Sequence, residues 1–171
     1  MQLVRRDAEV RVLACAPSKP AADYLVERLA AAGLDLDKLH RLIAPLSYEM
    51  GASEDPKAFS QYQRHQKLLA FRVVVSTCSE AGALQDLDIP VGHFSHIVID
   101  EATQADEPLV MIPIMTFSDS NTNIILAGDP NQLGPNIKSP TAARSGLRKS
   151  YLERLMLLND VYGLDTQVGK T

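Results

Sequence analysis

Two adjacent carboxylates, Asp100 and Glu101, close the apolar run "HIVIDEA". A hydrophobic strand that ends this way sets both acids at the edge of a sheet. There one can hold magnesium through the metal's water shell while the other orients or deprotonates an attacking water. The same residues would also serve as a charged strand end capping the next helix, and the pair alone leaves both readings open. A second segment, "NIILAGDPNQLGP", repeats the arrangement of apolar strand and polar turn. Gly128 and Gly134 supply flexible backbone, Asp129 and Pro130 make the turn, and Gln132 offers an amide that could reach a γ-phosphate. A plain Asp-Pro turn needs none of the rest, so the two segments together favour phosphate chemistry over capping.

These residues must be positioned by strands and helices, and the chain supplies both in alternation. "RVLACAP" at 11–17 reads as a strand; in "PAADYLVERLAAAG" the residues Ala22, Leu25, Val26 and Leu29 recur at helical spacing, with Gly33 as a C-cap. "KLHRLIAP" at 38–45 reads as a weaker strand, 47–60 as a loop, and "FSQYQRHQKLLAF" as a helix. Three further strands, at 72–77, 96–102 and 123–129, are almost continuously apolar, as strands covered on both faces tend to be. The apolar stripes of "ERLAAAG" and "YLERLMLL" are expected to be core. The pattern predicts an α/β fold with a parallel sheet sandwiched by helices, and ligands in such sheets bind at the carboxyl ends of the strands.

Composition narrows the function classes. A hydrophobic share of 46% is that of a globular domain. A formal net charge of -4 argues against a protein that grips nucleic acid by bulk attraction, so any such contact must be local. Arg144, Arg148 and Arg154 form part of a basic run read as surface or interdomain residues without a catalytic role. Cys15 and Cys78 each sit in or at the end of an apolar run and read as buried thiols. They point to a reducing compartment, cytoplasm or nucleus, and no apolar stretch is long enough for a membrane span.

"IVIDEATQADEP" and "NIILAGDPNQLGP", in this order, resemble motifs II and III of superfamily 1 helicases, "APSKPAADYL" resembles motif Ia, and "VVVSTCSEAG" the segment often named Ic. The variants "DEATQ", "LAGDPNQLGP" and "SYLERLM" look most like the RNA helicase branch that includes the nonsense-mediated-decay helicase and the Armitage-like proteins. The resemblance spans residues 11–158 and implies a partial RecA-like first motor domain of the P-loop NTPase type over 1–171, working with ATP and magnesium on single-stranded RNA, with DNA as an alternative. Residue by residue it implies that Asp100 contacts magnesium, that Glu101 is the catalytic base, and that Gln132 senses the γ-phosphate. Gly128 and Asp129 would line the nucleotide site. Ser18, Lys19 and Thr77 would contact the nucleic-acid backbone, with Ser18 and Thr77 exposed on a face adjoining the Asp100, Glu101 and Gln132 cluster. Lys19 stands where this branch usually has Asn, which implies a contact that is more electrostatic or slightly moved by Pro20.

The family pattern also opens with a strand and a Gly-rich loop ending in Gly-Lys-Ser/Thr, ahead of "APS". Here "MQLVRRDAEV" stands in that place and contains no glycine, whereas the terminal "VGKT" lacks the required spacing, the leading strand and the following helix. The expectation is a fragment, inactive by itself, without the phosphate loop and without the second RecA-like domain that completes the site. Absence of the first strand should leave the strand ending in "LAGD" as an unprotected edge. Two other readings remain at this stage: a stand-alone domain that binds RNA or protein without hydrolysis, and a DNA helicase of the same superfamily.

Overall fold

The computed structural model describes residues 2–43 and 68–158. Five strands, β1 Val12–Ala16, β2 Leu39–Arg41, β3 Val73–Thr77, β4 His96–Ile99 and β5 Asn123–Leu126, form one parallel sheet in the order β2-β3-β1-β4-β5. The chain therefore starts at the centre of the sheet, builds β2 and β3 to one side, crosses β1, and adds β4 and β5 on the other. This is the doubly wound α/β arrangement expected from the alternation of strands and helices. All of the loop expected at 47–60 and most of the helix expected at 59–71 lie outside the described residues, as does the terminal "VGKT".

Alternation within the central strands divides the core in two. Leu13 and Cys15 of β1 turn to one face with Val74, Ile97 and Ile99, where Leu84, Phe94, Val110 and Phe117 cover them. Val12, Ala14 and Ala16 turn to the other with Val73 and Val75, under Ala22, Leu25, Val26 and Leu29. That second cover is α2, Lys19–Ala31, which follows the short N-terminal helix α1, Gln2–Arg6. Helix α2 stops where the sequence reading places it: Gly33 takes φ +81°, its amide bonds to Ala30 O at 2.8 Å, and the Leu34 amide bonds to Leu29 O at 3.1 Å. That pair of bonds is the Schellman termination, and the left-handed residue it needs favours glycine.

After β3 comes the one-turn helix α3, Cys78–Ala81; after β4 comes α4, Glu107–Phe117, capped by the Asp106 carboxylate on the Leu109 amide at 2.9 Å. Helix α4 carries Pro113 in its interior and still holds, because Val110, Pro113 and Phe117 are all buried against the sheet. Cys15 and Cys78 are buried free thiols, as expected.

Two elements differ from simple patterning. Strand β5 stands at the edge, as expected, and with no described strand beyond it Ile124 and Ile125 remain 38% and 40% exposed. Helix α5, Tyr151–Leu158, was expected to be core, yet none of its residues is buried. Tyr151 and Leu152 pack against the core, whereas no described element covers Leu157 and Leu158.

The edge-on contact of Phe94 with Phe117, centroids 5.8 Å apart at 90°, joins α4 to the loop before β4. Both rings are fully buried. Phe117→Ala should therefore cost about 3–5 kcal/mol of unfolding free energy in a urea titration. A loss below about 1 kcal/mol would mean that this face of the core is not packed as described.

Candidate functional site

The residues singled out from the sequence gather at the carboxyl edge of the sheet, in two groups. Strands β4 and β5 carry the acidic and amide group; β1 and β3 carry the hydroxyl and lysine group. The second group lies across β1 from the first.

At the end of β4 the Asp100 amide donates to Cys15 O at 2.8 Å, which extends the pairing of β1 with β4 into the turn. Asp100 Oδ1 accepts from the Glu101 amide at 3.1 Å. Glu101 itself adopts φ 52°, ψ 36°, the left-handed region that a residue with a Cβ seldom occupies. Such a conformation costs on the order of 1 kcal/mol or more and persists only where surroundings enforce it. Here the surroundings are the turn Ala102–Gln104 and the end of β5: the Ala102 amide donates to Ala127 O at 2.7 Å, and the Ala127 amide donates to Ile99 O at 2.9 Å. Gln104 Nε2 then donates to Glu101 Oε2 at 3.0 Å and fixes the carboxylate's direction.

Gly128 explains how the two turns approach so closely. A Cβ there would meet the Thr103 amide nitrogen at 3.0 Å and the Ala102 amide nitrogen at 3.2 Å. The glycine of "LAGD" thus has a packing reason to be present, independent of any nucleotide. Beyond it, Asp129 Oδ1 accepts from the Asn131 amide at 2.9 Å, and this bond holds the exposed carboxyl below its usual range. Gln132 follows in the same turn, its amide bonded to Asp129 O. It lines an open cleft of about 580 Å³ with Gln104, Asn131, Leu133, Gly134 and Asn136.

Gln104 therefore links the two halves, touching Glu101 through one hydrogen bond and facing the cleft beside Gln132. It belongs to "DEATQ", and the family resemblance implies no role for it. Its signal was its position three residues after Glu101, which one tight turn brings back against the carboxylate.

On the other side, Ser18 is exposed and caps α2, its Oγ accepting from the Ala21 amide at 3.4 Å. Thr77 is 3% exposed, so the expectation that it stands open beside Ser18 is not met. Thr77 pairs with Ala16 in the sheet, and its Oγ1 accepts from the Glu80 amide at 3.1 Å while Glu80 Oε2 accepts from the Thr77 amide at 3.2 Å. This reciprocal capping box draws the hydroxyl inward. Lys19 Nζ lies 3.7 Å from Glu80 Oε1, and Arg41 at the end of β2 bonds both Glu80 Oε2 and Asp23 Oδ1. Arg144 and Arg148 are exposed, and Arg154 pairs with Glu107, consistent with surface roles.

Among the described residues no group of three or more His, Cys, Asp or Glu side chains could hold a metal, and no helix is long and apolar enough to cross a membrane. A family model described as an AAA domain matches residues 52–140. The chain is 41% identical over 148 residues to the RNA helicase Mov10l1 of Homo sapiens, covering 85% of this chain and 12% of that protein. It is 38% identical over 173 residues to mov-10-B.1 of Danio rerio, which bears a helicase name, covering 94% and 17%. It is 33% identical to the regulator of nonsense transcripts 1 homolog of Neurospora crassa, covering 86% and 16%. The chain thus spans less than a fifth of the length of these relatives.

The close approach at Gly128 makes a specific expectation. Gly128→Ala should destabilise by about 1–3 kcal/mol, because backbone rather than a flexible side chain must give way. Hydrogen exchange should locate the damage: the Ala102 amide, bonded to Ala127 O, should lose protection first. An Ala102 amide that exchanges as in the parent chain would rule out the coupling of the two turns.

Proposed function

Because the chain belongs to the AAA-domain family, in the branch of superfamily 1 RNA helicases that holds the nonsense-mediated-decay and Armitage-like proteins, we propose that it is a portion of the first motor domain of an ATP-dependent RNA helicase. The observation that carries this reading is the left-handed Glu101, fixed beside Asp100 and bonded to Gln104, which faces the Gln132 cleft. Strained backbone at a charged strand end is a recurrent mark of a working site.

Magnesium and ATP would supply the scissile phosphoanhydride and the charge neutralisation that its cleavage needs. The donor set fits. A single carboxylate, Asp100, suits a magnesium that keeps most of its waters and takes its remaining ligands from phosphate oxygens, which needs no protein cage of acids. Glu101, oriented by Gln104, is placed to accept a proton from water. Gln132 offers its amide to the terminal phosphate, and Gly128 and Asp129 bound the same turn. The Ala102 amide's bond to Ala127 O and the close approach of Gly128 to Thr103 join the two turns, a route by which movement at Gln132 would reach Glu101.

The RNA backbone would lie across the ends of β1 and β3, at Ser18 and Lys19 with Thr77 beneath. A short hydroxyl beside the free amides of a helix start grips phosphate without reading bases, as a motor passing every sequence requires. In this reading Thr77 acts chiefly by holding the turn, since its hydroxyl is already engaged.

The chain spans less than a fifth of its relatives' length, and in this reading the amides and lysine that cradle the β- and γ-phosphates would lie outside these 171 residues. The purified chain should accordingly show no RNA-stimulated ATP hydrolysis. A protein that adds a phosphate loop upstream and a second motor domain downstream should hydrolyse ATP, and Glu101→Gln in it should cut turnover by about 10²–10⁴-fold while nucleotide binding survives. Turnover by the isolated chain that Glu101→Gln abolishes would contradict the first expectation. Equal loss of binding and turnover would contradict the second and leave Glu101 a structural residue.

A further inference from the structure

Glu80 is buried among cations at the edge assigned above to RNA. It is 8% exposed, and its two oxygens do different things. Oε2 accepts from the Thr77 amide at 3.2 Å and from Arg41 Nη1 at 3.1 Å. Oε1 accepts no hydrogen bond and lies 3.7 Å from Lys19 Nζ, whose side chain is 49% exposed. Capping Thr77 needs only Oε2, and an uncharged glutamine completes a capping box as well as glutamate does. The negative charge is therefore surplus to the cap. Arg41 answers that charge at Oε2, where it is shared with Asp23 Oδ1 and Leu42 O, and leaves Oε1 without a bonded partner. A buried charge persists where a cation answers it, and the cation facing Oε1 is Lys19.

We propose that Glu80 is a positioning residue of the RNA track: its Oε1 holds the Lys19 ammonium in the RNA-free state as a fixed substitute for a backbone phosphate. This rests on the reading of Ser18 and Lys19 as backbone contacts. Glu80 is anchored by Thr77 and Arg41, whereas Lys19 has a flexible stem and a long, weak contact, so an arriving phosphate draws Lys19 away and leaves the carboxylate behind. Lys19 then exchanges one anion for another. Fewer counterions are released than a free lysine would release, and both affinity and its dependence on salt are reduced.

The test is binding of a fluorescein-labelled single-stranded oligouridine to the 171-residue chain, followed by anisotropy over a series of KCl concentrations. Glu80→Gln keeps the capping acceptor and frees Lys19. It should bind several-fold tighter at low salt, with the slope of log K against log salt steeper by about 0.7, the value for one more phosphate neutralised on a single strand. Lys19→Gln in the Glu80→Gln background should erase that gain. A gain that survives there overturns the assignment to Lys19, and an unchanged slope in Glu80→Gln, with RNA still bound, overturns the proposal while leaving the track. Absence of RNA binding by every variant overturns the track itself and this inference with it. If Glu80→Gln does not fold, the wild-type chain carries the decision. After reductive ¹³C-methylation, the Lys19 signal, assigned through Lys19→Arg, should move on addition of oligouridine, and a signal that stays still overturns the proposal.

Discussion

Everything at the functional edge takes its place from β1. All five residues of Val12–Ala16 are buried, and the strand is paired on both sides, Ala16 against Thr77 and Cys15 against Ile99. One register therefore sets how far β3 and β4 run before they turn, and hence where the Thr77 cap and the Asp100–Glu101 pair stand. The Asp100 amide still bonds to Cys15 O, so the first acid of the pair is measured out from the same strand that leads to Ser18. A slip of one residue would turn the strand's other set of side chains to each face and displace both groups at once.

Distance between the groups is the other side of that constraint. In the proposed motor the hydrolytic and nucleic-acid surfaces must be apart yet mechanically joined, and the sheet sets one at the ends of β4 and β5 and the other at the ends of β1 and β3. Joining is by backbone at the acidic group and by side chains at the other. On one side the Ala102–Gln104 turn rests on Ala127 and Gly128 without an intervening side chain; on the other, Thr77 and Glu80 lock the start of α3 while Glu80 reaches Lys19 at the start of α2.

How much of this was readable from sequence follows from the range of the interactions involved. The strands were legible because short apolar runs alternate with helical segments, although the run in β5 did not reveal its exposure, and the Gly33 stop because left-handed backbone selects for glycine. Asp100, Glu101 and Gln132 could be singled out because each motif is a local string, and their roles stand as proposals. Thr77 was misjudged as exposed although "TCSE" has the spacing of a capping box, in which Glu80 turns back to Thr77. The ion pairs of Arg41 with Asp23 and Glu80 join β2 to α2 and to α3, and no short window contains both partners. Helix α4 went unnamed because "LVMIPIMTF" is apolar on every side and contains a proline, so periodicity is silent; its legible sign was Asp106, three residues before Leu109.

The two thiols carry a consequence of a different kind. Cys15 lies in the central strand with Ser76 Oγ 3.5 Å away, and its bond with the Cys78 thiol together with burial pushes its titration well above the ordinary range. Alkylation and oxidation require a thiolate that solvent can reach, and Cys15 offers neither while the sheet is closed. Its neighbour differs in where it sits: Cys78 begins the four-residue α3, whereas Cys15 lies in a strand paired on both sides, so loosening of α3 should reach Cys78 before Cys15. Pulse labelling of the two side chains thus gives the molecule a pair of built-in clocks, one timing the loosening of a single turn and the other the parting of the whole sheet.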